Sequence, residues 1–407
     1  MNESKWMTLG ANITIANKDG SPAAEIRYEC SRLLNTQARL RGRLTLEPQI
    51  DFGAYITTAV IDWVDLVFKT DRHTQWRWIF AELETAIGAR SHVWQSRDDD
   101  EAPYREFRVR FQEPEPSVLQ VAERAIANIW GLSEPTVVEN LEISVDFRPK
   151  VPSDVSMAKM FGVLVRSHLP GRDVISEPSD RPRFTWGKGT RKTAHVLAAQ
   201  KGSPDRNDEL LLATDKDRPA VADSSYYVGA KKASPSWRTM TKIMDQQNKG
   251  TGTRLILPKN ERRVRIEVTL SKTELRSIGI DTMTSLMAFR FQTFQGLYFQ
   301  FRLPTFTDAG ALPKGNHATL SHLRENERRT KFLNSGVVGL QAMDDARARR
   351  TGALQMTMRT EARKIGNAKA ERSTTQEMPM IAYKELTGRV LMALRHLGDR
   401  VAAATIS

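Results

Sequence analysis

Three short segments place carboxylates in stretches otherwise built of β-branched and aromatic residues: Asp62 and Asp65 in IDWVDLVF, Glu142 and Asp146 in LEISVDF, and Glu267 in RIEVTL. A single acid in a strand is ordinarily a solvated or salt-bridged side chain, whereas several acids in separate apolar strands are what a hard cation needs. Mg2+ or Mn2+ is held by oxygen ligands contributed from different strands, so Asp62, Glu142, Asp146 and Glu267 form a candidate metal set.

A second constellation lies between Ser225 and Leu270. Tyr226 and Tyr227 sit in a strand-like SYYVG, followed by Lys231, Lys232, Trp237, Arg238 and Lys242. Further on, Val264, Ile266 and Val268 alternate with Arg265, Glu267 and Thr269, which puts the last three on one face of a strand. A carboxylate flanked by an arginine and a hydroxyl, opposite a strand bearing tyrosines, suits metal-assisted phosphodiester chemistry. Aromatic and cationic residues are interleaved in RFTWGKGTRK and PSWRTMTK. Bases can stack on Trp186 and Trp237 while Lys188, Arg191, Lys192, Lys231, Lys232 and Arg265 follow the phosphates. The alternative for Trp78 and Trp237 is a core position whose cationic neighbours reach outward to water.

Other chemistries are excluded. The seven histidines include no His-x-His pair, and His317 and His322 have neither helical nor zinc-motif spacing. No GxxxxGK[ST] loop is present, so this chain lacks the cradle for ATP phosphates. The single Cys30 rules out an internal disulfide and fits a reducing compartment, the cytoplasm. No apolar run is long enough to span a membrane, and MNESKWMTLG lacks the pattern of a signal peptide. The 61 Lys and Arg against 48 Asp and Glu give a formal charge of +13, which draws the chain toward polyanions, nucleic acid first.

The elements that must position these residues follow from periodicity. Residues 55–70 read as a buried strand and residues 74–90 as an amphipathic helix ending near Gly88. Residues 105–114 read as a strand, SVLQVAERAIANIWGL as a second helix capped by Ser117, and 140–149 as a strand. Residues 169–222 are rich in Pro, Gly, Asp and Lys and read as loops and strand edges. This order predicts an α+β fold, an antiparallel sheet with helices packed on one face. The expected organisation is an N-terminal segment 1–54, a central domain 55–305, and a basic, mostly helical region 306–407 that is a candidate DNA-binding module.

The series IDWVDLVF, LEISVDF, YYVGAKKASPSWRTMTK and RVRIEVTL resembles, in order and spacing, the replication initiation factor family of rolling-circle plasmid initiators, related conjugative relaxases and filamentous-phage replication proteins. The resemblance covers roughly residues 55–305 and is strongest from YYVG to RIEVTL. It implies an endonuclease that binds origin DNA, both double- and single-stranded, and nicks one strand through a tyrosine with the help of Mg2+ or Mn2+. A 5′-phosphotyrosine link and a 3′-hydroxyl primer would result. It also implies a host helicase and a second copy of the chain as partners, and no membrane. Carried over, Asp62, Glu142 and Glu267 are metal acids with Asp146 close by, and Arg238 and Lys242 are the basic positions around the nucleophile. The family pattern has a tyrosine between these two, where this chain has Met240 in Arg238-Thr239-Met240-Thr241-Lys242. Either Tyr227 or Tyr226 takes the role, or the chain is a non-catalytic origin-binding protein or repressor.

Overall fold

The computed structural model describes residues 10–406 apart from 35–36, 38–39, 89–91, 96–102, 187–192, 199–202, 247–253, 308–315 and 365–379. The chain opens with an antiparallel meander, β1 (Ala11–Ala16), β2 (Pro22–Arg32) and β3 (Arg43–Pro48). The long β4 (Tyr55–Thr74) follows, then α1 (Trp76–Ile87), β5 (His92–Gln95), β6 (Tyr104–Gln112), α2 (Pro116–Trp130) and β7 (Val137–Pro149). Next come α3 (Asp154–Ser167), β8 (His168–Leu169), β9 (Arg183–Thr185), β10 (Thr193–His195), α4 (Pro204–Leu212), β11 (Ser225–Val228) and β12 (Ser236–Lys242). A ribbon of β13 (Met244–Gln246) and β14 (Arg254–Ile256) precedes β15 (Arg263–Ser271), after which α5 (Lys272–Ser277), α6 (Met283–Met287) and α7 (Thr293–Tyr298) lead to β16 (Gln300–Leu303) and β17 (Thr305–Thr307). The chain finishes with α8 (Asn316–Lys364), β18 (Ile381–Ala382) and α9 (Lys384–Ile406). No helix among the described residues is long and apolar enough to cross a membrane.

The fold is α+β. Its centre is a nine-stranded sheet in the order β10-β9-β11-β12-β15-β7-β4-β6-β5, antiparallel throughout. One face is apolar: Leu141, Ile143, Val145 and Phe147 of β7 and Val264, Ile266, Val268 and Leu270 of β15 are buried on the side covered by α3 and α9. Each such aliphatic side chain contributes about 1.5–3 kcal/mol on burial. The opposite face carries the polar residues of the same strands.

On β4 the apolar parity changes partway, Ala59 and Ile61 being buried and then Val64, Leu66 and Phe68. The cause is a bulge: Ile61 pairs with Ile143 but Trp63 with Glu142, leaving Asp62 as the extra residue. The bulge brings Asp62 and Trp63 toward the polar face together, and it sets Asp65, three positions on, on that face as well.

Several elements depart from sequence expectation, among them α4, a capped helix within the residues 169–222 expected to be loops and strand edges. The second amphipathic helix starts at Pro116, the favoured first helical position, so Ser117 lies inside it and is not its cap. The helix α3 was not read at all; Ser153 caps it by accepting from the Ser156 amide at 3.1 Å, and from Met160 onward it is buried on every side. Gly162 allows that packing, since a side chain there would strike Ile15 and Ile26. The boundaries expected at 54 and 305 separate no cores. β17 completes the N-terminal sheet by pairing with β3, and one hydrophobic core runs from Ile15 to Val401.

Candidate metal centre

Asp62, Glu142 and Glu267 come from the three neighbouring strands β4, β7 and β15, and one carboxylate oxygen from each lies within 4.8 Å of the others. Glu142 is fixed on both sides, accepting from the Trp63 indole Nε1 at 2.7 Å and from the Thr269 hydroxyl. Glu267 accepts from Arg238 Nε, while its other oxygen, Oε1, is buried with no hydrogen-bond partner, as is the hydroxyl of Ser144 beside it in the ladder. The three acids line a cavity of about 470 Å³ with Trp63, Arg110, Glu113, Arg238, Met240, Lys242 and Arg265.

The electrostatics favour one more positive group. Arg265, 1 % exposed, grips Asp146 with both ends of its fork at 2.6 and 2.7 Å and also bonds to Asp62 and, at 3.1 Å, to Glu113. Arg263 forms an ion pair with Asp146 at 3.0 Å, and Lys242 reaches Glu113 at 2.8 Å and Asp245 at 2.9 Å. Among these groups six carboxyls (Asp62, Glu113, Glu142, Asp146, Asp245 and Glu267) meet four cations (Arg238, Lys242, Arg263 and Arg265), so the acids outnumber the bases. Burial, reinforced by Glu267 and Asp62, pushes Glu142 up to about 8. Burial also raises Glu267, against the pull of Arg238. Glu113 goes the other way: burial would raise it, but Arg265, Lys242 and Arg263 hold it at about 2. Three clustered carboxyl groups, one with a buried oxygen that has no hydrogen-bond partner, offer the hard oxygen donors that suit Mg2+ or Mn2+.

The structure separates the predicted residues. Asp62, Glu142 and Glu267 converge, whereas Asp146 is committed to Arg265 and Arg263. Arg265 is correspondingly not a DNA contact, because its guanidinium is spent on carboxylates and closed off from solvent. Tyr227 pairs with Arg238, which pairs with Glu267, so all three stand in one cross-strand row on the polar face, with Arg183 5.5 Å from the Tyr227 ring centroid. Tyr226 faces the other way: it is 3 % exposed in the core, and burial raises its hydroxyl far above the usual tyrosine range. It is removed as a nucleophile. Trp237 is likewise a core residue, its Nε1 donating to the Tyr298 carbonyl at 2.8 Å, and it offers no face to a base. Trp186 is half-buried against Phe184, with ring centroids 5.4 Å apart. Lys231 and Lys232 are exposed at the turn between β11 and β12; Lys188, Arg191 and Lys192 lie outside the described residues. Met240 pairs with Arg265 and lines the cavity with Arg238 and Lys242.

Sequence reasoning missed Glu113, Trp63, Trp94 and the pair Arg110–Asp65, in which Arg110 donates two bonds at 2.6 and 2.7 Å. No family model and no curated protein matches this chain.

Proposed function

We propose that this chain is a DNA replication initiator of plasmid or phage type, which binds an origin and nicks one strand through Tyr227 with a divalent cation held by Asp62, Glu142 and Glu267. The observation that carries this reading is the convergence of those three carboxylates in the row that also holds Arg238 and Tyr227. Five of the seven tyrosines (Tyr28, Tyr55, Tyr226, Tyr298 and Tyr383) are buried, and Tyr227 alone stands in the row of Arg238 and Glu267. The bound ion would polarise the scissile phosphate as a Lewis acid. Arg238, anchored by Glu267, sets a guanidinium between the carboxylates and Tyr227, where it orients a phosphate and offsets charge building on its oxygens. The Tyr227 hydroxyl gives up its proton to water as its oxygen forms the new bond to phosphorus, the bond to the 3′-oxygen breaks, and that oxygen leaves and takes a proton from water. Tyr227 and Glu267 are two strand spacings apart, about 10 Å between backbones, the gap that a phosphodiester against Arg238 would bridge.

One observation favours a second reading, an origin-binding protein or repressor that does not cleave. Met240 occupies the cavity wall between Arg238 and Lys242, and a thioether cannot take the part of a tyrosine hydroxyl. Incubation of supercoiled origin plasmid with the protein and Mg2+ or Mn2+ separates the two. A relaxed circle carrying covalently bound protein, lost in Tyr227→Phe, supports the nickase; retarded but intact DNA supports the binder. Under the second reading Met240→Tyr, which places a hydroxyl in the cavity, should produce the adduct that the native chain does not form. An adduct that survives Tyr227→Phe at full yield would sink the assignment of Tyr227.

A further inference from the structure

Four side chains form a continuous stack from the edge of the central sheet to Glu142. On β5 the rings of His92 and Trp94 lie 5.7 Å apart and 20° from parallel. Beside them the Arg110 guanidinium carbon lies 5.6 Å from the centroid of Trp94 and 3.8 Å from that of Trp63, so the cation sits against both indoles. Trp63 in turn donates its Nε1 to Glu142. Arg110 cannot swing away, because Asp65 binds it twice and is itself held by Asn140 Nδ2 at 3.0 Å. A stack built only for stability would be covered. Here Trp94 is 42 % exposed and His92 is exposed, and His92, Arg110 and Trp63 all line the carboxylate cavity.

A solvent-facing π surface with a fixed cation in it, opening onto a polar cavity, matches one ligand chemistry. Every nucleobase has a π face, and stacking on aromatic and guanidinium planes is how unpaired strands are held without regard to sequence. We propose that the ladder His92–Trp94–Arg110–Trp63 is a stacking platform for unpaired bases of a DNA strand, so that an adjoining phosphate is delivered to the carboxylate cavity. The proposal deepens the function stated above and rests on it for the kind of partner. Paired bases present no free face to Trp94, so duplex DNA gains nothing from the platform. Its preference is for strands that are already open.

The test is fluorescence anisotropy of a labelled single-stranded oligonucleotide with the full chain, carried out in EDTA so that no cleavage intervenes. Trp94→Ala should weaken binding about 10-fold, while Trp94→Phe, which keeps a π face, should stay within about 3-fold of the native chain. An oligonucleotide of the same length with every base removed should bind both the native chain and Trp94→Ala equally. Unchanged affinity in Trp94→Ala overturns the platform. So does an equal loss for intact and abasic strands, which would mark Trp94 as a structural residue only. A chain that shows the base-dependent loss but never nicks upholds the platform and sinks the nickase reading. A chain that nicks, with Trp94→Ala binding as tightly as the native protein, does the reverse.

Discussion

Two buried clusters of charge show how a fold treats ions it needs for itself and ions it keeps for something else. Around α8, Lys331 and Asp217 meet at 2.7 Å with both side chains fully buried, and Arg328 is shared between Glu325 at 2.9 Å and Asp344 at 2.8 Å. Arg43, spending its own bonds on Thr305, completes three cations against three carboxylates. That cluster is neutral and closed. The cavity on the polar face of the central sheet is lined by five acids (Asp62, Glu113, Glu142, Asp245 and Glu267) and four cations (Arg110, Arg238, Lys242 and Arg265), and it has an orphaned oxygen on Glu267 and an opening to solvent. Desolvating a charge is tolerable only when a partner offsets it; the closed cluster supplies every partner from within, whereas the open one has room for a further positive group.

The comparison can be broken from either side. The largest effect is expected at the closed cluster: Lys331→Met leaves Asp217 buried and unpaired, and should lower the unfolding free energy by about 3–5 kcal/mol in urea titration. A loss under about 1 kcal/mol would show that α8 is not held by this pair. The open cluster should respond to ions instead. Saturating Mg2+ or Mn2+ should raise stability by roughly 2–3 kcal/mol at a hundredfold excess over the dissociation constant, and EDTA should remove the gain. Glu142→Gln should abolish that response, while changing the ion-free protein by only about 1 kcal/mol at pH 7, since Glu142 there is already held in its protonated form.

The pH dependence carries a definite sign. The Glu142 carboxyl sits near 8 in the folded chain and near 4.5 when unfolded, so the native state holds a proton that the unfolded state gives up. Its contribution is fully present below pH 4.5 and is lost as the pH rises through 8. Thermal unfolding of the ion-free protein should therefore shift downward between pH 5 and pH 9, and the shift should flatten in Glu142→Gln. An upward shift over that range would contradict the raised Glu142 carboxyl. The smallest effect belongs to the rim: Asp245→Asn, at a half-exposed site paired with Lys242, should alter stability by no more than about 0.5 kcal/mol.

Much of the sheet was legible because a half-buried strand must alternate. The polar and apolar sets of β15 read directly off VRIEVTL, and with them the placement of Arg265 and Glu267 on one face. β7 was legible for the same reason. What alternation cannot show is where it slips. The bulge at Asp62 exists only in the pairing of β4 with β7, and without it one of Asp62 and Asp65 belongs to the wrong face. Sequence gave no hint that α3 existed because it is enclosed by the sheet, β2 and α8, which removes the polar stripe that periodicity detects. The two tryptophans teach the same lesson: Trp237, expected to stack on bases, lies in the core, and Trp94, absent from the sequence reading, meets solvent, because only the register of their strands decides which face each takes.

The pairing of β3 with β17 reaches from residues 43–48 to residues 305–307. During synthesis the first three strands therefore leave the ribosome long before the strand that shields their edge. Until then β3 offers unpaired amides and carbonyls to any neighbouring chain, an exposure that a chaperone would have to cover. Truncation before Thr305 would make that exposure permanent, and such a fragment should be recovered in aggregates.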